Sequence, residues 1–179
     1  MLTAAGVDHR VMRPDVDEAA LKRRLDGAED VAAELAAAKA LTVSVAHPQD
    51  WVIGSDSVVS VEGRLFDKPV DRRQAAEHLR FFSGKPMRLT SAVALAQAGA
   101  TTWQHDDTAQ LQVRPLSEAF IADYLEAEWP EVGYCVGVFR LEARGVQLFS
   151  SIAGNHFTIL GMPLLPLLGA LRDRSLLPS

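Results

Sequence analysis

The chain has 179 residues, of which 48% are hydrophobic and 23% charged, and its formal net charge is −5 at pH 7. This length is typical of one domain, and the apolar content supports a sizeable core and excludes a disordered chain. The acidic balance gives no general attraction for nucleic acid or an anionic membrane, so an anionic ligand would need local lysines, arginines or a metal ion.

The first half of the chain is predicted to contain three helices and a strand hairpin. In chain order, we predict helices at 17–26 and 28–41, strands at 51–61 and 64–69, and a helix at 71–84. The second helix is rich in alanine and leucine, and Lys39 in its last turn complements the helix dipole. Asp71 is a plausible N-cap of the third helix, and Gly84 ends it.

The second half is predicted to contain further strands and two helices. These are strands at 87–97 and 102–113, a helix at 117–128, strands at 136–142 and 146–152 around a hairpin at 143–145, and a helix at 164–173. Ser117 is a plausible cap of the first of these helices. Because strands and helices alternate while several strands are hairpin-linked, we predict an α/β fold with a long mixed sheet.

Cysteine usage and hydropathy indicate an intracellular protein. The one cysteine, Cys135, excludes an internal disulfide, and it has no basic neighbour in sequence that would favour a thiolate. We therefore expect it to be a buried apolar residue. No apolar run reaches the roughly 18 residues that a membrane helix needs, and the N-terminus lacks a signal-peptide pattern. We expect a soluble, cytoplasmic protein without membrane or nucleic-acid partners.

Asp56, within the segment WVIGSDSVVSVEGRLFDKP, is the most informative residue. A carboxylate in the middle of an apolar strand is costly unless a cation or metal ion pairs with it. Ser55 and Ser57 flank it and can donate hydrogen bonds, and Lys68 returns across the hairpin. The alternative is an aspartate at a strand end that caps a turn, and the spacing alone favours neither interpretation.

A second acidic cluster, DVDE at 15–18, stands at the start of the first helix. Two or three carboxylates suit Mg²⁺, which takes oxygen ligands and keeps several waters. Acidic residues in a first turn also complement the helix dipole and are common there, so the residues alone favour this structural interpretation.

Other polar groups carry weaker signals. Lys85 and Arg88 stand at the mouth of a strand, where a solvated turn is the favoured interpretation. The five histidines show no metal-ligand spacing, which argues against a zinc site. The chain has neither a G-x-x-x-x-G-K-[ST] nor a G-x-G-x-x-G loop, so a triphosphate would be held by scattered basic side chains.

The ordered motifs GSDSVV, GRLFDKP, FSGK, LTSAVAL, RPLSEAFI, QLF and ILGMPL resemble those of the Maf proteins. These are housekeeping nucleotide pyrophosphatases related in fold to the inosine triphosphate pyrophosphatases. The resemblance extends roughly from residue 2 to residue 171, and the order of several motifs makes it specific. It implies one domain over 1–179, with an elongated mixed sheet flanked by helices, a cleft between two lobes, and a homodimer.

The resemblance also implies roles for three residues in catalysis and phosphate binding. The acid of the family's G-A-D motif falls on Asp56, as general base or metal ligand. The lysine of A-x-x-K-A falls on Lys39 and that of G-K-P on Lys68. Both lysines are expected to contact phosphate oxygens.

Four further residues are implicated in metal binding and base selection. The family needs a divalent cation, Mg²⁺ or Mn²⁺, and its acidic D-E pair falls on Asp17 and Glu18. Asp56 and Glu18 are therefore the expected metal ligands. The positions linked to base selection fall on Ser57 and Glu142.

The chain departs from the family pattern at three points. Family members begin with a strand and an S-x-S-x-R-R loop that binds the triphosphate, whereas this chain starts where that loop should end. Either the coding sequence starts further upstream, or the protein lacks the strand and two arginines. Glu142 replaces a base-contacting glutamine, Ser57 replaces a threonine or glutamine, and Ala153 replaces the glutamate of I-E-G, so the resemblance implies no base preference.

We therefore expect metal-dependent hydrolysis of a nucleoside triphosphate, including non-standard or modified ones, to its monophosphate and pyrophosphate. Asp56 would orient the attacking water or hold the metal, while Lys39 and Lys68 hold the phosphates. The alternative is a nucleotide-binding pseudoenzyme that does not hydrolyse its ligand because the N-terminal phosphate-binding loop is missing.

Overall fold

The structure, a computed structural model, describes residues 1–25 and 27–178. Its helices are α1 (Glu18–Lys22), α2 (Ala28–Ala46), α3 (Arg72–Phe82), α4 (Glu118–Glu128), α5 (His156–Ile159) and α6 (Leu164–Arg172). Its strands are β1 (Val52–Val61), β2 (Arg64–Phe66), β3 (Pro86–Gln97), β4 (Ala100–Val113) and β5 (Phe149–Ala153). In the part of the chain described, no helix combines the length and apolar character needed to span a membrane.

The five strands form one antiparallel sheet in the order β2-β1-β3-β4-β5, with helices packed beside it. This confirms the predicted α/β class, although the strands were expected to form a mixed sheet. Tight turns explain two of these antiparallel pairings. Glu62 and Gly63 join β1 to β2 with φ of 53° and 76°, and Ala98 and Gly99 join β3 to β4 with φ of 50° and 75°. Two successive left-handed residues are typical of a two-residue hairpin turn.

The chain divides into two compact units. The first unit comprises Met1–Ser57, Ser91–Asp107 and Gly161–Ser179, and the second comprises Val58–Thr90 and Thr108–Leu160. The core of the first unit includes Val93 and Leu95 of β3 together with Leu167 and Leu171 of α6. The core of the second unit is rich in aromatic residues and includes Phe82, which is fully buried.

Helix α2 packs unusually close to β1 because small residues face each other. A Cβ at Gly54 would lie 2.2 Å from the carbonyl oxygen of Ala36 and 2.6 Å from the amide nitrogen of Ala40. Both alanines are fully buried. The alanine-rich sequence of α2 therefore allows helix and strand backbones to meet, and this contact places Lys39 of the same helix beside Asp56 of the same strand.

Helix α3 begins and packs as its sequence predicts. The Asp71 carboxylate accepts a hydrogen bond from the Gln74 amide at 2.7 Å, which makes Asp71 the N-cap. Phe82 meets Phe66 of β2 edge-to-face, with ring centroids 4.7 Å apart. His78 of the same helix also stands edge-on to Phe66, at 5.1 Å. An amphipathic helix with a capped start thus supplies part of the core of the second unit.

The segment from 136 to 148 differs from the prediction. The expected strand at 136–142 is absent from the described residues, because Gly137 and Val138 take φ of 82° and 58° and turn the chain back. The expected hairpin at 143–145 overlaps a 3₁₀ helix, Arg144–Leu148, so β5 begins only at Phe149. Gly145 allows this compact turn, since a Cβ there would lie 2.4 Å from the Arg140 carbonyl oxygen.

Smaller differences concern helix lengths. Helix α1 spans Glu18–Lys22 within the predicted 17–26, and residue 26 of that prediction lies outside the described residues. Helix α2 continues to Ala46, beyond the predicted end at 41, and the short helix α5 was not predicted. No glycine or proline stands directly after residue 41 to stop the helix, whereas Pro48 lies two residues beyond its end at Ala46.

We expect His78 to make folding sensitive to mild acid. It is 9% exposed, and its Nδ1 has no hydrogen-bond partner among residues 1–25 and 27–178. Burial, and then the charge of Arg64, lower its pKa, so the unfolded chain binds a proton there more readily than the folded one. The stability that the neutral His78 side chain contributes is fully present above about pH 6.5, and it is lost as the pH falls through the lowered pKa of the folded state. In His78→Leu, the free energy of unfolding measured in urea should therefore depend less on pH between about 5 and 7 than it does in wild type. The same dependence of this free energy on pH in the variant and in wild type would contradict the prediction.

Candidate active site

Asp56 sits on the face of β1 that packs on α2. Side chains alternate across a strand, so Gly54 and Asp56 share one face while Ser55 and Ser57 share the other. Gly54 packs directly against the backbone of α2. The Asp56 side chain, which is 14% exposed, forms an ion pair with Lys39 of that helix. The carboxylate is thus largely buried and paired, which favours the functional interpretation over an exposed turn cap.

Lys39 is the centre of a three-residue cluster of Glu18, Lys39 and Asp56, which we call the Lys39 cluster. Its Nζ lies 2.5 Å from Oδ1 of Asp56 and 2.8 Å from Oε1 of Glu18. The lysine side chain is 18% exposed, so one largely buried ammonium group bridges two carboxylates. Asp56 and Lys39 are 17 residues apart in sequence and come from different elements, so the cluster depends on the packing of α2 on β1.

Helix α1 brings Glu18 to this cluster, while Asp17 stabilises the start of the helix. The Asp17 carboxylate accepts a hydrogen bond from the Ala20 amide at 2.9 Å and is the N-cap. Glu18 is the first residue of α1, and its side chain is 44% exposed. The two residues of the acidic pair therefore have different local partners, and only Glu18 is paired with Lys39.

Burial shifts the protonation equilibria in the cluster. It raises the pKa of Asp56, and although Lys39 acts in the opposite direction the net shift is upward, with Glu18 adding to it. Burial alone would lower the pKa of Lys39, but the two carboxylates together raise it above the ordinary value. A carboxylate with a raised pKa is a better proton acceptor than an exposed one.

The donor set of the cluster is compatible with a divalent cation. Two carboxylates converge on one positive charge, and when both are ionised their combined charge exceeds that of Lys39 by one unit. Mg²⁺ is often bound by one or two carboxylates and completed by waters and substrate phosphates. Among the described residues, no group of three or more His, Cys, Asp or Glu side chains is arranged to hold a metal. A cation here would therefore need Glu18, Asp56 and ligands from the substrate or solvent.

A cavity of about 590 Å³ opens beside the cluster, within the first unit. Lys39 and Ser55 contribute to its wall, Trp51 and Leu171 line it with apolar surface, and Arg10 stands among its polar residues. The volume lies in the range of small-molecule sites. Lys39 therefore borders a space large enough for a ligand.

Ser57 faces away from the Lys39 cluster. Its Oγ lies 2.7 Å from Oγ of Ser91 and donates to the Gly161 carbonyl at 3.3 Å. Ser55 donates to the same carbonyl at 3.0 Å. The structure therefore places Asp56 and Ser57, which are adjacent in sequence, on opposite faces of the strand.

Lys68 and Glu142 lie in the second unit, and both are exposed. The charges of both residues affect the pKa of the same thiol, that of Cys135. Burial raises the pKa of Cys135, Glu142 raises it further, and Arg140 and Lys68 lower it. The two predicted substrate residues thus share one surface region of that unit.

Cys135 is half-buried rather than buried as predicted, and its raised pKa agrees with the expectation that it is no activated nucleophile.

Several residues of the site were missed by sequence reasoning. Lys22, in the last turn of α1, lowers the pKa of Asp56 through its charge. Ser91 is fully buried on β3, and Gly161 carries a φ of 105°. The signal available for Gly161 was its place in ILGMPL, since a glycine before a proline-containing helix start often marks a special backbone conformation.

Comparison with known proteins places these residues in a family context. A family model described as Maf-like protein matches residues 1–174. The chain is 44% identical over 177 residues to a 7-methyl-GTP pyrophosphatase of Rhizobium etli, with 97% of this chain and 89% of that protein covered. It is 42% identical over 179 residues to a nucleoside triphosphate pyrophosphatase of Nitrobacter hamburgensis, covering 99% and 89%. A nucleoside triphosphate pyrophosphatase of Sphingopyxis alaskensis is 41% identical over 184 residues, covering 100% and 93%.

Proposed function

The chain belongs to the Maf-like protein family, and on this basis we propose that it hydrolyses nucleoside triphosphates to nucleoside monophosphates and pyrophosphate. The observation that carries the proposal is the largely buried Asp56 carboxylate, 2.5 Å from the ammonium group of Lys39. In the reaction, the oxygen of a water molecule forms a bond to the α-phosphorus, and the bond from that phosphorus to the bridging oxygen breaks. Pyrophosphate leaves with that oxygen.

Asp56 and Lys39 have complementary roles in this proposal. Asp56 accepts the proton of the attacking water as the general base. Lys39, which borders the cavity, binds phosphate oxygens and stabilises the charge on the departing pyrophosphate. Rates should therefore fall when the pH is low enough to protonate Asp56, since its protonated form cannot accept another proton.

Glu18 and Asp56 are the side chains that would hold a divalent cation, Mg²⁺ or Mn²⁺. Such an ion would neutralise part of the negative charge on the phosphate oxygens. It would also offset the repulsion between the Glu18 and Asp56 carboxylates and the phosphates of a bound triphosphate.

The exposed side chains of the second unit extend the proposal to substrate contacts. Lys68 would bind phosphate oxygens, and Glu142 would contact the base. A carboxylate at the base suits nucleobases that offer hydrogen-bond donors or carry positive charge. Because relatives named 7-methyl-GTP pyrophosphatase are 44% and 41% identical to this chain, 7-methyl-GTP belongs among the substrates to test.

The proposed activity predicts a defined product pattern. With Mg²⁺, the common ribonucleoside triphosphates and 7-methyl-GTP should be assayed for pyrophosphate and monophosphate, which we expect in equal amounts for the preferred substrate. In ¹⁸O-labelled water, attack at the α-phosphorus places the label in the monophosphate. Omission of Mg²⁺ should strongly reduce the rate, and an α,β-methylene analogue should bind without being cleaved.

Two outcomes would contradict the proposal. Label in phosphate or pyrophosphate would mean attack at another phosphorus. Tight nucleotide binding, measured by calorimetry, with no product from any nucleotide would identify a nucleotide-binding pseudoenzyme instead.

A further inference from the structure

Two serines flank Asp56 and point to the opposite face of β1. Ser55 and Ser57 are one residue before and one residue after Asp56, so alternation directs both hydroxyls away from Lys39. Both side chains are partly buried. The face of β1 opposite to the Lys39 cluster therefore carries two hydroxyl groups at the positions that bracket Asp56.

The two hydroxyls converge on one backbone carbonyl. Ser55 Oγ lies 3.0 Å and Ser57 Oγ 3.3 Å from the carbonyl oxygen of Gly161, which is 106 residues away from Ser55 in sequence. Ser55 Oγ also lies 2.8 Å from the carbonyl oxygen of Ala92 on β3, so its single proton is shared between two acceptors. Ser57 can donate to Gly161 if the fully buried Ser91 donates to Ser57, at 2.7 Å.

The carbonyl is held by a constrained segment. Gly161 has a φ of 105°, a conformation that residues with a Cβ rarely adopt, and it stands three residues before α6. Helix α6 is anchored in the core of the first unit through Leu167 and Leu171. The hydroxyls of Ser55 and Ser57 thus tie β1 to a segment that has little freedom of its own.

We propose that Ser55 and Ser57 are positioning residues, which hold β1 against Gly161 so that the Asp56 carboxylate stays directed at Lys39. The effect on rate rests on the proposed function, whereas the effect on the orientation of Asp56 does not. This role differs from the base contact that family resemblance implies for Ser57. With both neighbours held, the backbone of residue 56 cannot rotate about the strand axis, and its side chain retains one direction.

The first test compares kcat and KM in matched variants. In the double variant Ser55→Ala/Ser57→Ala, we expect kcat to fall on the order of 10- to 100-fold with little change in KM, because a small displacement of a reacting group has an effect of this size. The double variant Ser55→Thr/Ser57→Thr keeps both hydroxyls and should recover most of the rate. Ser44→Ala is the control, since Ser44 is fully buried and donates to the Leu41 carbonyl at 3.0 Å outside this network.

The second test observes Asp56 without relying on activity. The titration of its carboxyl carbon is followed by NMR in ¹³C-aspartate protein, with Asp56→Asn to assign the signal. Among residues 1–25 and 27–178, the charged groups facing Asp56 are Lys39 from α2 and Glu18 and Lys22 from α1, and none is changed in the double alanine variant. We expect the midpoint to fall towards the ordinary aspartate value, because a loosened strand admits water, and the amides of residues 54–58 to exchange faster.

The outcomes separate the inference from the proposed function. An unchanged Asp56 midpoint together with unchanged amide exchange in the double alanine variant would overturn the positioning role. A changed order of preference among nucleotides, with the midpoint retained, would also overturn it in favour of base contact. Wild-type hydrolysis by Asp56→Asn would remove the proposed function of Asp56, yet the shifted midpoint would still establish that the serines position it.

Discussion

Replacement of Asp56 by asparagine should reduce kcat by about 10²- to 10⁴-fold, the range expected when a general base is lost. Asparagine keeps the shape and can still accept a hydrogen bond from Lys39, but its amide cannot take a proton from water. Pyrophosphate release measured at saturating triphosphate, with Mg²⁺ present, gives the value directly. Full activity in this variant would refute the assignment of Asp56.

The same variant should remain folded. The folded pKa of Asp56 is raised above its unfolded value, so the ionised carboxylate opposes folding at neutral pH, and this opposition grows as pH rises through the folded pKa. A neutral asparagine removes that penalty, while Lys39 keeps its ion pair with Glu18 at 2.8 Å. We therefore expect a free energy of unfolding at pH 7 within about 1 kcal/mol of wild type. Asp173→Asn, at an exposed position after α6, is the matched control and should keep wild-type activity.

Replacement of Gly54 by alanine should damage both stability and activity. The added Cβ would lie 2.2 Å from the Ala36 carbonyl oxygen and 2.6 Å from the Ala40 amide nitrogen, and backbone atoms cannot rotate away. Helix α2 must then move away from β1. Overpacking of this kind costs about 1–3 kcal/mol or more, so the free energy of unfolding in urea should fall by at least that amount.

The displacement of α2 should also affect hydrolysis, because Lys39 is carried by that helix. Separating Lys39 from Asp56 by about 1 Å should lower kcat/KM by roughly 100-fold. Gly169→Ala is the control: its Cβ would meet nothing within 4 Å inside α6, and a helical alanine is favoured over glycine by about 1 kcal/mol. A Gly54→Ala protein as stable and active as wild type would show that α2 and β1 do not depend on this close contact.

Local signals explain which elements could be predicted from the sequence. The caps Asp71 and Ser117 were predicted, and each accepts a hydrogen bond from an amide three residues later. The long strands β3 and β4, predicted at 87–97 and 102–113, and helix α6, predicted at 164–173, are also present. Interactions of this kind involve residues only a few positions apart, so the sequence contains all the information they require.

The segment from 136 to 148 shows why other elements could not be predicted. Its apolar residues suit a strand, but Gly137 and Val138 take left-handed conformations, and the Arg140 guanidinium pairs with the buried Glu128 carboxylate at 3.0 Å. That pair joins the segment to the end of α4. The backbone therefore follows a tertiary ion pair and a compact turn in preference to its strand propensity.

For the candidate site, the sequence by itself determined that an acidic residue lies within an apolar strand, and that a lysine ends the preceding alanine-rich stretch. Only the tertiary structure decided that Lys39 bridges Asp56 and Glu18, and that Ser57 turns to the opposite face and bonds to Gly161. The physical reason is range: caps and turns are closed by neighbouring residues, whereas these contacts depend on how closely a helix and a strand pack. Here that distance was set by Gly54 and the alanines of α2.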